Sequence, residues 1–170
     1  MEYPWQVKET TDLVSPKFLE ILNRRASNWL SNKKFYQLVE KQSVDDIDEY
    51  KSYEDSIMSN LSYYASQFNR NRYNPNSKYK LESKLVIACP WFRQIRHQDS
   101  SSKVFSFVTY LNENNKGTKI HSQKTGGQTV VVPWKKGKTV FFAPGDNTWH
   151  SWSSNNNWRV TLVSFVTYSS

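Results

Sequence analysis

His97, Asp99 and His150 are the residues of this chain whose types and spacing could hold a metal ion. His97-Gln98-Asp99 opens a strand-like run that ends in Val108-Thr109-Tyr110-Leu111-Asn112. His150 follows a second apolar run, Thr139-Val140-Phe141-Phe142-Ala143-Pro144. Two imidazole nitrogens and a carboxylate oxygen, with coordination positions left open, are the donor set of a mononuclear non-haem Fe(II) site. Side chains two positions apart on a strand leave the same face, with Cα atoms about 6.5–7 Å apart, so His97 and Asp99 could converge on one ion. The third ligand must come from another strand, because three donors on one octahedral face cannot all project from one. Taken alone, a His-x-Asp motif usually means a surface pair, and His150 also reads as a histidine packed between Trp149 and Trp152.

Arg159 heads a third apolar run, Arg159-Val160-Thr161-Leu162-Val163-Ser164-Phe165-Val166. As a strand it turns Arg159, Thr161, Val163 and Phe165 one way and Val160 and Leu162 the other. Both faces are largely apolar, so the strand is expected to be buried, and an arginine there needs an anionic or multiply accepting partner. The alternative is an arginine at the first strand residue that points into solvent. Tyr110, at the end of its own run, reads on its residue type as core.

Around these residues the chain divides into a helical front and a stranded back. Ser15-Pro16 marks a helix start, and Phe18, Leu19, Ile21, Leu22, Ala26, Trp29 and Leu30 recur at helical spacing, predicting a helix over 16–30. Ser43-Val44-Asp45-Asp46 reads as a cap with acidic first-turn residues. A long helix over 46–68, burying Tyr50, Tyr53, Ile57, Leu61 and Tyr64, is expected to follow. From Lys80 onward the pattern changes to short β-rich runs near 83–89, 94–98, 103–112, 118–121, 127–133, 138–143, 148–152 and 158–168, separated by Gly, Pro, Asn and Ser. The expected fold class is α+β: a double-stranded β-helix, or jelly roll, of about eight strands with N-terminal helices packed on it. One domain over 1–170 is expected, with 1–80 as helical support and 81–170 as the core that carries the site.

The ordered set His97-x-Asp99, Tyr110-Leu111-Asn112, His150 and Arg159 resembles the 2-oxoglutarate/Fe(II)-dependent oxygenases, specifically the prolyl-hydroxylase-like branch. Gly117-Thr118 after the Tyr-Leu-Asn element, Gly126-Gly127-Gln128-Thr129 and Gly137-Lys138-Thr139-Val140-Phe141-Phe142 look like the same family, and the resemblance spans roughly residues 84–168. It implies that His97, Asp99 and His150 hold Fe(II). It also implies that the distal carboxylate of 2-oxoglutarate is gripped by Arg159 and Tyr110, with a hydrogen bond from Thr161. The implied reaction is a dioxygenase hydroxylation that consumes O2 and releases succinate and CO2, with ascorbate as the reductant in vitro. No catalytic residue beyond the metal centre is implied.

Substrate determinants are expected beside these motifs. Trp91, Phe92, Arg93 and Arg96 precede the metal pair and Trp149 and Trp152 flank His150, which suggests a basic and aromatic pocket mouth; core and rim packing is the plainer role for each. His121 reads either as a functional residue or as a strand-edge histidine.

Composition sets the remaining bounds. At 170 residues the chain can bury a real core. No apolar stretch can span a bilayer, and Met1-Glu2-Tyr3-Pro4-Trp5 lacks a signal-peptide core, so no membrane association and a cytoplasmic setting are expected. Cys89 is the only cysteine, which excludes an internal disulfide, and it reads as a small buried hydrophobe. The net charge is +8, but the positive residues are scattered (Arg24-Arg25, Lys33-Lys34, Arg70 with Arg72, Arg93 with Arg96, Lys135-Lys136 with Lys138), while acidic residues gather over 45–55. The expected partner is a protein or peptide, or a small molecule. A nucleic-acid base hydroxylase or demethylase of the same superfamily is the second reading, and a non-catalytic jelly-roll binding protein is the third.

Overall fold

Ser15 and Pro16 start the first helix for the reason their chemistry gives. The Ser15 hydroxyl accepts the Phe18 amide at 3.2 Å, and Pro16 takes the first helical position, where no N–H is needed. In the computed structural model, which describes residues 7–32, 39–69, 71–113, 115–145 and 148–169, α1 (Pro16–Asn32) buries Phe18, Leu22 and Ala26 along one face. The expectations resting on residues 1–5, Lys33, Lys34 and Arg70 lie outside the described residues.

The single helix expected over 46–68 is two helices, α2 (Asp48–Met58) and α3 (Leu61–Ser66). Ser59 and Asn60 separate them by turning their side chains on the preceding turn. The Ser59 hydroxyl donates to the Asp55 carbonyl at 2.6 Å and the Asn60 amide to the Ser56 carbonyl at 2.8 Å, an alternative to the helical ladder. Helix α2 also begins later than its expected cap. Ile47 precedes it without a side-chain cap, and Asp48 and Glu49 supply the first-turn negative charge. Asp46 instead pairs with Arg25 of α1 at 2.6 Å. Tyr50, Tyr53, Ile57, Leu61 and Tyr64 are nevertheless all buried, as their spacing requires.

Among the described residues, ten strands form two antiparallel sheets. A six-stranded sheet has the order β1-β8-β5-β10-β3-β2, with β1 (Val7–Thr10), β8 (Thr139–Phe142), β5 (Lys103–Tyr110), β10 (Arg159–Tyr168), β3 (Tyr79–Ala88) and β2 (Val39–Ser43). A four-stranded sheet has the order β4-β9-β6-β7, with β4 (Arg93–His97), β9 (Trp149–Ser153), β6 (Lys119–His121) and β7 (Thr129–Val131). The architecture is the expected jelly roll with helices on one face, but with two more strands than its pattern suggested. Both extra strands, β1 and β2, come from the stretch read as helical support and pair on opposite edges of the larger sheet. Cys89 falls just past β3 and is half-buried, less enclosed than expected.

Pleating separates the work of the larger sheet's two faces. Leu85, Ile87, Phe105, Phe107, Phe141 and Leu162 join the core formed with the helices. There Tyr64 meets Phe107 and Phe141 edge-on, with centroids 5.1 and 5.4 Å apart. One polar group in this layer is satisfied internally: Ser164 bonds the Tyr53 hydroxyl at 2.8 Å and the Ser83 hydroxyl at 2.7 Å. A smaller core of Val7, Tyr110, Ile120, Val132, Val140 and Phe142 closes one end of the space between the sheets. No described helix is long and apolar enough to cross a membrane.

Phe107 is fully buried where α3 meets the sheet. Phe107→Ala is expected to cost about 3–5 kcal/mol of unfolding free energy, through lost burial and an unfilled cavity. Urea denaturation measures this; a loss below about 1 kcal/mol would show that the helices do not depend on this contact.

Candidate metal centre

Strand register stacks the inner face of the larger sheet into rows. Arg159 lies level with Ala88 and Val39; Thr161 with Tyr110, Val86 and Lys41; Val163 with Val108 and Lys84; Phe165 with Ser106 and Glu82. Arg159, Thr161, Val163 and Phe165 therefore share one face, as the alternation of their run predicts. That face floors a cleft of about 550 Å³ between the sheets, which His97, Asp99 and His150 close from the other side.

His97 of β4 and His150 of β9 are direct partners in the smaller sheet. Their rings lie 4.2 Å apart. An irregularity between Gln94 and His97 breaks the simple alternation of β4, so that both residues line the cleft while Ile95 between them is 78% exposed. Each histidine bonds a carbonyl two residues upstream through Nδ1: His97 to Ile95 at 2.9 Å and His150 to Thr148 at 3.0 Å. A carbonyl only accepts, so Nδ1 carries the proton in both rings, and both Nε2 lone pairs are left for a ligand.

Asp99 lies beyond the end of β4, not on the strand as the two-residue spacing suggested, and it is β5 that holds it. Lys103 donates to Oδ1 and Ser106 to Oδ2, both at 2.6 Å. Lys103 is itself seated 3.2 Å above the Phe165 ring. Burial by itself would raise the Asp99 pKa, but the His150 and Lys103 charges and these hydrogen bonds outweigh it, and the carboxyl lies below its ordinary value. Burial also keeps His150 below the ordinary histidine value, against the opposing pull of Asp99. The site thus favours an ionised carboxylate beside a neutral imidazole. The ligand atoms of His97, Asp99 and His150 all lie within 4.8 Å of one another. Three N and O donors converging from one side, with no thiolate, fit Fe(II) with open positions.

Arg159, at the other end of the cleft, is 2% exposed. Its guanidinium lies 4.8 Å from the Trp152 ring, 4.7 Å from Trp134 and 5.5 Å from Tyr110, and it donates to the Lys116 carbonyl. Burial lowers its pKa to about 10, opposed by Tyr110, so it remains charged at neutral pH. Among the described residues no carboxylate forms an ion pair with it. The Thr161 hydroxyl next to it lines the cleft and makes no hydrogen bond among the described residues. The Tyr110 hydroxyl is occupied, donating to Thr118 Oγ1 and accepting the Thr118 amide, each at 2.9 Å.

Asn112 fixes the start of β10. It accepts the Val160 amide at 3.1 Å and donates to the Trp158 carbonyl at 2.8 Å, bracketing Arg159. Gly117 lets the Lys116–Thr118 backbone pass against Val132, whose carbonyl oxygen a Cβ would strike. Trp134, Thr118, Lys103 and Ser106 escaped sequence reasoning. Only the Gly-Thr pair and the Tyr-Leu-Asn element carried a trace of them, since partners so distant in the chain leave no periodic signal.

The residues expected at a basic, aromatic entrance divide. Trp152 lines the cleft and packs at a tilt on Phe92, with ring centroids 5.2 Å apart. Arg93, Arg96 and Trp149 do not line it, a correction to that expectation. Arg96 spends its Nη1 on the carbonyls of Gln123, Lys124 and Gly126 at 2.9–3.1 Å, tethering the β6–β7 loop. Arg93 borders an adjoining recess that shares Gln94 and Trp152 with the cleft, and Trp149 lies under Lys124. His121 is a buried structural histidine, bonded to Thr129 Oγ1 at 2.9 Å and Ser151 Oγ at 2.8 Å.

No protein-family model matches this sequence, and no curated protein matches it. Solved structures do. A prolyl-4-hydroxylase from Pseudomonas putida superposes with a TM-score of 0.68 at 14% identity, over 98% of this chain and 95% of its own. The viral collagen prolyl hydroxylase of Paramecium bursaria Chlorella virus-1, solved with 2OG, gives 0.66 at 13% identity over 98% of each chain. A Trichoplax adhaerens prolyl hydroxylase, in complex with a hypoxia inducible factor oxygen degradation domain peptide fragment, gives 0.66 at 10% identity over 96% of this chain and 84% of its own. The fold of this chain is that of the prolyl-hydroxylase-like 2-oxoglutarate/Fe(II) oxygenases, in agreement with the sequence motifs.

The His121 pKa is pulled to about 4 by burial and then by the Arg96, Lys119 and His150 charges. Because this lies below the ordinary 6.5, the unfolded chain takes up the proton first as pH falls, and stability is lost between about 6.5 and 4. His150 acts in the same direction. The metal-free His121→Gln variant is therefore expected to show a flatter dependence of Tm on pH across this window than the wild type. Equal slopes would show that His121 is not a source of the loss.

Proposed function

We propose that the protein is an Fe(II)- and 2-oxoglutarate-dependent dioxygenase that hydroxylates a protein side chain, prolyl included, or a small metabolite. One observation carries the reading: a single cleft joins a His-Asp-His triad to a buried, charged arginine that pairs with no carboxylate among the described residues. A buried unpaired charge is costly, so the arginine is built for an anion that arrives from outside. The shared fold with prolyl hydroxylases and with other 2OG-Fe(II) oxygenases supports the same chemistry.

His97, Asp99 and His150 would hold the iron, and Arg159 and Thr161 the distal carboxylate of 2-oxoglutarate, the guanidinium by a charged fork and the threonine by one hydrogen bond. Tyr110 contributes chiefly through its ring, which with Trp134 and Trp152 walls the guanidinium. Its hydroxyl reaches the carboxylate only by releasing Thr118. When bound, iron and 2-oxoglutarate use O2 to place one oxygen atom in a substrate C–H bond and the other in succinate, with loss of CO2; ascorbate keeps the metal reduced in vitro. The chain orients the ligands through their second hydrogen bonds, holds Asp99 ionised and excludes water with Val86, Val108 and Val163 on the cleft floor. With Cys89 free, the protein suits a reducing, cytoplasmic setting.

Metal binding and co-substrate binding test separate halves of the site. His97→Ala or Asp99→Ala is expected to abolish Fe(II)-dependent decarboxylation of 2-oxoglutarate and to weaken Mn(II) binding in calorimetry, with folding retained by circular dichroism. Wild-type turnover in both variants would refute the triad.

Arg159→Ala is expected to raise the KM for 2-oxoglutarate roughly 10-fold to several hundred-fold, the loss of a charged hydrogen-bonded pair worth about 1.5–3 kcal/mol. Tyr110→Phe should have a smaller effect. An unchanged KM in Arg159→Ala would mean that another group holds the distal carboxylate.

A further inference from the structure

One edge of the cleft carries charge that the proposed reaction does not use. Lys41 on β2 stands opposite Val86 of β3, and Lys84 lies two residues away along β3 on the same face. The two ammonium-bearing side chains are thus diagonal neighbours, roughly 7–8 Å apart at the backbone, and both line the cleft that holds the triad and Arg159. Neither forms an ion pair among the described residues. The acids nearby are already engaged: Glu82 with Lys80 at 2.7 Å and Asp99 with Lys103 at 2.6 Å. Adjacent like charges on a sheet face disfavour folding, and an anion from outside would relieve them.

The surroundings define what kind of anion fits. Val39, Val86 and Val163 give the cleft an aliphatic surface beside the lysines. The rings that also line it are already engaged, Phe165 under Lys103 and Trp152 against Phe92 and Arg159, which makes them poor platforms for stacked bases. Beyond Glu82 and Lys84 begins a second recess lined by Asp45 and Asp48, and by Asp46 and Glu54, which already pair with Arg25 and Lys51. A polyanion running out over the lip would meet this acidic wall, whereas a single localised carboxylate would not.

We infer that Lys41 and Lys84 are specificity residues that bind a carboxylate on the prime substrate, so that the substrate class is acidic and not a nucleic acid. The carboxylate is that of an Asp or Glu side chain in an extended peptide, or of a free small acid. This inference rests on the proposed function, because the lysines matter to substrate choice only if the same cleft performs the reaction.

The test uses the whole chain loaded with Mn(II) and 2-oxoglutarate. Binding of both is established first; failure there would overturn the proposed function. Randomised, end-blocked nonapeptide pools with two fixed central residues, Glu, Gln or Lys, are then passed over the loaded protein, and retention is read by mass spectrometry. The Glu pool is expected to be retained on the order of tenfold better than the Gln pool, since each exposed charge pair contributes up to about fivefold. Lys41→Met with Lys84→Met should remove most of that preference, and Lys84→Glu should shift it toward the Lys pool, with folding of both variants checked by thermal melting. N-acetylglutamate amide displacing the Glu pool at equal concentration would identify a free small acid as the source, and failure to displace it would identify a peptide. Equal retention of the Glu and Gln pools, no retention of any pool, or better retention of a random single-stranded dodecanucleotide would overturn the inference.

Discussion

The arrangement of the cleft follows from one electrostatic fact: Arg159 is a charged, buried guanidinium that forms no ion pair with a carboxylate among the described residues. Among the described residues, ring faces of Tyr110, Trp134 and Trp152, the Tyr110 hydroxyl and the Lys116 carbonyl surround it. Cation–π contacts and hydrogen bonds soften the desolvation cost without cancelling it. Much of the surrounding structure keeps this charge still. Asn112 pins both sides of the start of β10, and Gly117 permits the backbone approach that brings in the Lys116 carbonyl. The Tyr110–Thr118 pair locks one wall.

The metal end follows a complementary logic. Where the arginine end leaves a charge waiting, the triad end leaves lone pairs waiting. Both histidines spend their Nδ1 protons on carbonyls two residues upstream, and β5 reaches across to hold both oxygens of Asp99. Lys103 and Ser106 aim the carboxylate, while Lys103 adds a positive charge beside the ion's seat. The two ends are joined by one face of β10 and its neighbours, so a change in strand register there would displace both together.

The helices buttress the larger sheet from behind. Tyr64, Phe68, Phe105, Phe107 and Phe141 make an aromatic layer that keeps the six-stranded sheet in place. The opposite face carries charge and hydroxyl groups beside a smaller apolar cluster of its own.

What the sequence determined by itself was local and periodic. Helical spacing in Phe18, Leu22 and Ala26, the Ser15-Pro16 start, eight of the ten strands and the facing of Arg159 with Thr161, Val163 and Phe165 were all legible, because each depends on neighbours a few residues away. The types and order of His97, Asp99, His150 and Arg159 were legible too, since donor chemistry belongs to the residue. The tertiary structure alone decided the rest. Val7–Thr10 and Val39–Ser43 are strands because sheet edges were there to pair with. The helix over 46–68 broke because Ser59 and Asn60 bonded the backbone. Arg96 left the expected pocket mouth because a loop brought it three carbonyls, Lys103 and Lys41 joined the cleft, and Trp134 came to pack on Arg159, all through partners that are distant in the chain. Such contacts are set by register and by which side of a strand faces inward, and no short-range pattern encodes either.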